Sequence, residues 1–276
     1  YYGTFASYGQ GDGQFMWPSS IVISDSDKIY VSDEYSHKIS IMTLEGEFIS
    51  SFGQLGNKDG QFDGPNGLIF DNKNQLYVVD HRNGRIQVFD ESGNFIRKFS
   101  SQGNNEGQLN LPWGITYTSD DRLYVSDWGN HRIQEFSTDG EFIRSFGSKG
   151  EEEQNILHPS SCAVDDLGNI YVCDWGNHKL KVFDKEGNFL CSNRGEGSLS
   201  KWAQDFLDTN VQEKEARLKA DLVFELESFK DDPFTESSHI EKLFWCPTSI
   251  SFHNDNLLIV DSSRHRIQVF NTVQKL

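Results

Sequence analysis

The sequence predicts an all-β fold in which four-stranded antiparallel sheets repeat around an axis, a β-propeller. Three observations carry that prediction. Asp33, Asp80, Asp127 and Asp174 each close a short apolar run and recur every 47 residues, with a fifth copy at Asp261 in LLIVDSSRHRIQVF. Within each period the apolar runs are strand-length and bounded by Asp, Asn and Gly, with no helical spacing. A period of this length holding four such runs is the pattern of a propeller blade.

The unit is clearest in YVSDWGNHRIQEFSTDGEFIRSFGSKG, from Tyr124 to Gly150. Tyr124 and Val125 open a strand that ends at Asp127. A polar turn follows, then strands at Ile133 to Phe136 and Phe142 to Phe146, joined by Thr138-Asp139-Gly140. The strands of a blade are labelled a to d, innermost to outermost, so these three are b, c and d.

Taken in order, residues 1–8 match a strand d, and the linker GQGDGQF that follows reappears as NKDGQF at 57–62 and NNEGQL at 104–109. Each linker leads to a proline (Pro18, Pro65, Pro112, Pro159, Pro247), a residue tolerated where a strand begins and no ladder donor is needed. Strand a comes next, at Ile21–Ile23, Leu68–Phe70, Ile115–Tyr117, Cys162–Val164 and Ile250–Phe252. Strand c carries Ile39–Met42, Ile86–Phe89, Ile133–Phe136, Leu180–Phe183 and Ile267–Phe270. The c–d turn has Gly46, Gly93, Gly140 or Gly187 at one place, as a short hairpin needing positive φ requires.

The fifth copy is delayed by an insertion over residues 195–244. Ser198 is placed to cap a helix holding Leu199, Trp202, Phe206 and Leu207. Asn210 with Glu213 forms a second capping pattern, ahead of Leu218, Leu222, Leu226 and Phe229, with Pro233 beyond the end. Two amphipathic helices are expected. The stretch from Glu196 to Trp245 has 12 acids and 6 bases, so its outer face is acidic. The whole chain, 1–276, reads as one domain.

Composition bounds the partners. A formal net charge of −17 opposes phosphate backbones and anionic membrane surfaces, which argues against nucleic acid. No run of eighteen apolar residues is present, so no membrane insertion is expected. Cys162, Cys173, Cys191 and Cys246 lack metal spacing and read as buried free thiols, a usage that leans to reducing, cytoplasmic conditions. The N-terminal YYGTFASYGQ has neither Met nor a signal pattern, which suggests a fragment or processed product.

The motif Tyr-Val-x-Asp-x-x-Asn-His-Arg/Lys-Ile/Leu-x-x-Phe, with its Gly-rich linker and Pro, resembles the NHL repeat. The eponymous triplet stands here as Asn130-His131-Arg132 and Asn177-His178-Lys179, with variants Ser36-His37-Lys38, Asn83-Gly84-Arg85 and Arg264-His265-Arg266. The helical insertion is similar to those before the last blade of some bacterial NHL proteins. The resemblance implies a six-bladed parent, whereas five motif-bearing blades are present. Two arrangements fit. A further blade precedes Tyr1, or residues 1–7 close a ring of five by pairing with Ile267–Phe270.

Alternation of strand direction puts the b–c turns and the d–a linkers, and with them the insertion, on one face. Two rings of residues are expected around that mouth of the channel. One follows each strand-b Asp: Glu34, His81, Trp128, Trp175 and Ser262. The other follows each Pro: Ser19, Asn66, Trp113, Ser160 and Thr248. The periodic Asp is expected to accept turn N–H bonds, and the repeated His37, His131, His178 and His265 lie too far apart around a ring to share an ion. Trp113, Trp128 and Trp175 among small polar residues suit a peptide segment or a saccharide; blade-to-blade packing is the other use of such rings.

A non-enzymatic scaffold binding a protein or other extended ligand at this rim is the expectation, without cofactor. The alternative is a metal-dependent hydrolase or lyase with a site in the channel, since the resemblance extends to amidating lyases with a His-held metal and lactonase-type propellers with calcium. Neither ligand set carries over. The post-Pro ring offers Asn66 but no His or carboxylate, and Glu34 with His81 is too sparse a pair.

Overall fold

The computed structural model describes residues 4–150, 152–199, 201–220 and 233–271. Four blades are four-stranded antiparallel sheets with strands in sequence order a-b-c-d. Blade 1 is Pro18–Ile23, Lys28–Asp33, Lys38–Thr43 and Phe48–Phe52. Blade 2 is Pro65–Phe70, Leu76–Asp80, Arg85–Phe89 and Phe95–Phe99. Blade 3 is Pro112–Thr118, Arg122–Asp127, Arg132–Ser137 and Phe142–Phe146. Blade 4 is Pro159–Val164, Ile170–Asp174, Lys179–Phe183 and Phe189–Asn193. Blade 5 has three strands, Pro247–His253, Asn256–Asp261 and Arg266–Asn271.

Each strand a begins at the Pro itself. Strands b and c are buried almost throughout in the interior blades, while strand d alternates between half-buried and exposed. That follows from stacking: a sheet covered on both faces is apolar on both, and only its outermost strand meets water. The cores accordingly lie between blades. Ile39 and Phe62 pack with Leu68 and Leu76 between blades 1 and 2. Ile86 and Leu109 pack with Ile115 and Leu123 between blades 2 and 3. Ile133 and Ile156 meet Cys162 between blades 3 and 4, and Leu180 and Phe244 meet Ile250 between blades 4 and 5. Phe62, Leu109, Ile156 and Phe244 come from the d–a linkers and plug these joints, each fully buried.

The c–d turn glycines have φ of 87°, 81°, 90° and 87° at Gly46, Gly93, Gly140 and Gly187. A Cβ there would strike Phe5, Phe52, Phe99 and Phe146 respectively, so a phenylalanine ring lies against each glycine, from strand d of the preceding blade at the last three. Positive φ and close approach together leave no room for another residue.

Strand a of each blade packs against strand a of the next from blade 1 to blade 5. Of the two arrangements the sequence leaves open, closure by five is not seen among the described residues, since residues 4–7 do not pair with Ile267–Phe270. Ser7–Tyr8 instead pairs in parallel with Gln14–Phe15, as Leu55 does with Phe62 and Gln102 with Leu109. Among the described residues no strand borders the outer edge of Arg266–Asn271.

The insertion contains helices α1 (Lys201–Thr209), α2 (Val211–Lys219) and α3 (Pro233–His239). Asn210 separates the first two at the N-cap position, without a side-chain capping bond. Pro233 opens a helix, contrary to its expected place beyond one; its fixed φ and missing N–H suit the first helical position. The expected Leu222, Leu226 and Phe229 stripe lies outside the described residues. Backbone bonds from Gly197 N to Lys242 O (2.8 Å) and from Phe244 N to Arg194 O (2.6 Å) pinch the base of the excursion shut. No helix among the described residues is long and apolar enough to cross a membrane.

The strand-b aspartates hold this frame. Asp127 lies opposite both Pro112 on strand a and Arg132 on strand c. Fully buried, it accepts bonds from Asn110 N (2.7 Å), Asn130 Nδ2 (2.9 Å), Arg132 Nε (2.8 Å) and Gln134 Nε2 (2.9 Å). Replacing Asp127 by Ala strands the Arg132 guanidinium and the linker N–H, and should lower unfolding free energy by about 3–5 kcal/mol. A urea midpoint shift corresponding to less than about 1 kcal/mol would refute the hub role.

Candidate ligand-binding rim

In every blade the strand-b Asp accepts a linker N–H, and the remaining donors vary from blade to blade. Asp80 accepts from Asp63 N, Asn83, Arg85 and Gln87. Asp261 accepts from Trp245 N, Arg266 and Gln268. In blade 4 Lys181, fully buried, replaces the Gln and reaches Asp174 at 3.1 Å. Asp33 accepts from the backbone N–H groups of Met16, Trp17 and Ser36. Burial pushes the carboxyls of Asp80, Asp127 and Asp174 above their ordinary range, against the pull of these donors.

The turn histidines lock one blade to the next. His37, His131 and His178 stand in the left-handed region, with φ of 53°, 57° and 54°. Each Nδ1 accepts the N–H of the residue before the next proline: Gly64 (3.1 Å), His158 (3.2 Å) and Cys246 (3.0 Å). The bond offsets the strain of that backbone conformation. Blade 2 has Gly84 there, which needs no compensation.

Above this frame the rings converge. His81 and Trp113 are 5.9 Å apart, Trp113 and Trp128 6.2 Å, and Trp128 and Trp175 6.2 Å between centroids. His158 stacks on Trp128 at 3.9 Å and meets Trp175 edge-on at 6.4 Å. Trp113, Trp128 and Trp175 are half-buried. A continuous aromatic arc therefore runs over blades 2 to 4, and the Nε1–H of Trp128 is buried without an acceptor. His81 Nδ1 donates to Pro112 O (2.9 Å) and His158 Nδ1 to Trp128 O (3.1 Å), leaving each Nε2 an acceptor in the neutral ring.

The remaining expected rim residues divide. Glu34 is paired with Arg82, which also lies 3.5 Å from Asp63, so the arc is flanked by charge on the blade 1 side. The Ser19 and Ser160 hydroxyls donate to Pro65 O (3.1 Å) and Pro247 O (2.9 Å), across blade joints. Ser262 Oγ donates to Cys246 O at 2.7 Å. These hydroxyls stitch backbone. Ser19, Asn66, Trp113, Ser160 and Thr248 all line the central channel, a cavity of about 430 Å³ walled by the five strands a. Among the described residues no three His, Cys, Asp or Glu side chains converge as a metal site. The four cysteines are free. Burial raises the Cys162 thiol to about 11 and pushes the Cys173 thiol well above its ordinary range.

Sequence reading missed His158, although it occupies the position before a strand-a Pro and so faces the turn of the preceding blade. It also missed Phe234 of α3, whose ring lies 5.5 Å from His178 and 5.9 Å from Trp245. α3 thus sits on the rim where blades 4 and 5 meet. Arg264, in the Asn position of blade 5, donates to Ser237 O (2.6 Å) and Ile240 O (2.9 Å) beneath it.

Stacked blades with a buried Asp hub and a turn His define a β-propeller of repeated modules. The NHL repeat family matches residues 62–89, 109–136, 157–183 and 244–270, and the chain is an NHL-repeat β-propeller. No curated protein matches it by sequence. Among solved structures it is similar to a catalytically inactive virginiamycin B lyase from Staphylococcus aureus with quinupristin. That likeness has TM-score 0.56 and 12% identity, covering 94% of this chain and 71% of the lyase. It is also similar to a chain of a nidogen/laminin complex, with TM-score 0.63 and 15% identity, covering 93% of this chain and 76% of that one. At these identities the likeness is one of fold.

Burial, His158 and Lys149 lower the His131 imidazole from 6.5 to about 4. The folded chain keeps this ring neutral while the unfolded chain takes up a proton below pH 6.5, so acid favours unfolding across pH 6.5 to 4. His131→Asn preserves the left-handed turn and should flatten the fall of Tm over that window relative to wild type. Identical Tm profiles would rule out the contribution.

Proposed function

We propose that this chain is a non-enzymatic binding scaffold that takes an extended segment of a protein partner across the rim of Trp113, Trp128 and Trp175. The observation that carries the reading is the aromatic arc itself. Aromatic rings set about 6 Å apart on a concave face give large contact area at small entropic cost, the property of interface hot spots. The Nε2 acceptors of His81 and His158 add polar points that a peptide backbone N–H satisfies. A similar fold occurs in a chain of a nidogen/laminin complex, which supports a protein as the partner. The net charge of −17 disfavours an anionic ligand.

Selection from a peptide-display library against the purified chain should yield binders whose addition changes tryptophan fluorescence. Each of Trp128→Ala and Trp175→Ala should weaken them by about 2 kcal/mol, roughly 30-fold, with the double variant abolishing measurable binding. Binders indifferent to both substitutions would reject the rim as the site.

A further inference from the structure

In the ring that follows the strand-a prolines, hydroxyls join adjacent blades: Ser19 donates to Pro65 O and Ser160 to Pro247 O. The matching acceptor for Asn66 is Pro112 O, and His81 Nδ1 donates to it instead at 2.9 Å. The Asn66 carboxamide is left without a hydrogen-bond partner among the described residues, although the residue is only 2% exposed. Its backbone is fixed, because Ser32 Oγ donates to Asn66 O at 2.7 Å. What remains accessible of Asn66 faces the channel. A carboxamide has two N–H donors and an acceptor oxygen, and a buried one without partners is unfavourable. The site is complete only with a group that bonds it.

The surroundings select that group. Among the described residues no Asp, Glu, Lys, Arg or His lines the channel. An ionised group entering there would lose its hydration without meeting a counter-charge. An apolar group would leave the Asn66 carboxamide unpaired. A second carboxamide answers it best, because two amides each offer a donor and an acceptor and exchange a pair of hydrogen bonds. Asn66 is also close to the rim. Strands a of blades 2 and 3 run in close contact, since a Cβ on Gly67 would fall 2.8 Å from Trp113 O. Trp113 is the blade 3 equivalent of Asn66, and its ring belongs to the aromatic arc. A segment of chain crossing Trp113 therefore passes the Asn66 end of the channel.

We propose that Asn66 is a specificity-determining residue of the rim, receiving a glutamine or asparagine side chain that the bound segment sends into the channel. This rests on the rim being the segment-binding site. The arc supplies contact area with little regard to sequence. The Asn66 subsite fixes which residue of the segment stands beside Trp113, and so sets the register of the whole.

The test uses peptides of randomised sequence displayed against the purified chain, keeping those whose binding is lost with Trp128→Ala. They should share a Gln or Asn at one position. Changing that residue to Leu or Glu in the peptide, with the protein unaltered, should weaken binding about tenfold or more. Asn66→Leu removes the amide with little change of volume. It should weaken the original peptides by a similar factor, leave the Leu-bearing peptide nearly unaffected, and keep Tm level, since no bond within the chain is lost. Trp128-dependent binders that share no amide, or that bind Asn66→Leu as well as wild type, would overturn the subsite and leave the rim standing. A lowered Tm in Asn66→Leu, with the amide-to-Leu change in the peptide harmless, would assign Asn66 to the frame and also overturn it. A selection without any Trp128-dependent binder would remove the rim, and the subsite with it.

Discussion

The buried carboxylate at the end of strand b is the constraint on which the rest depends. A charge removed from water is unfavourable unless donors surround it, and each of these aspartates is fully buried. In blades 2 to 4 its donors come from three directions: the linker backbone, the b–c turn and strand c. Satisfying one carboxyl therefore fixes the linker across the end of the blade. The linker in turn presses its plug residue, Phe62, Leu109, Ile156 or Phe244, into the joint between blades. A polar node and an apolar joint are thus two ends of one device.

That device separates framework from rim. Asn130, Arg132 and Gln134 are engaged by Asp127, and the turn His by the next linker. The residue directly after each Asp has no bond common to all blades, and its identity varies: Glu34, His81, Trp128, Trp175 and Ser262, of which His81 and Ser262 bond backbone carbonyls. Large rings at two of these places contribute little to the frame. In the post-Pro ring the small hydroxyls of Ser19 and Ser160 join blades, and Trp113 departs from that pattern.

Much of this was legible because the period is strict. The blade, its strand order, the Gly at the c–d turn and the ends of strand b all follow from positions 47 residues apart. The facing of Trp113, Trp128 and Trp175 followed from strand alternation alone. What escaped has a common cause: it depends on contacts between segments without a repeat partner. His158 is the sole histidine among the residues before the strand-a prolines, so periodicity gave no warning of its stacking on Trp128. Pro233 is ambiguous in sequence, because a proline after a helical stripe serves equally as the end of one helix or the start of another.

The rim is also unequal around its circumference, and that inequality bears on what it holds. Over blades 2 to 4 it is aromatic; beside blade 1 it carries the Arg82, Glu34 and Asp63 charges; and at the joint of blades 4 and 5 it is covered by α3. A compact ligand centred on the channel would meet all of these sectors at once, polar and apolar alike. An extended ligand lying along the arc meets rings for its whole length, with charge at one end and the α3 helix at the other. The geometry of the apolar sector, more than the channel beneath it, is what favours a segment of chain over a small molecule.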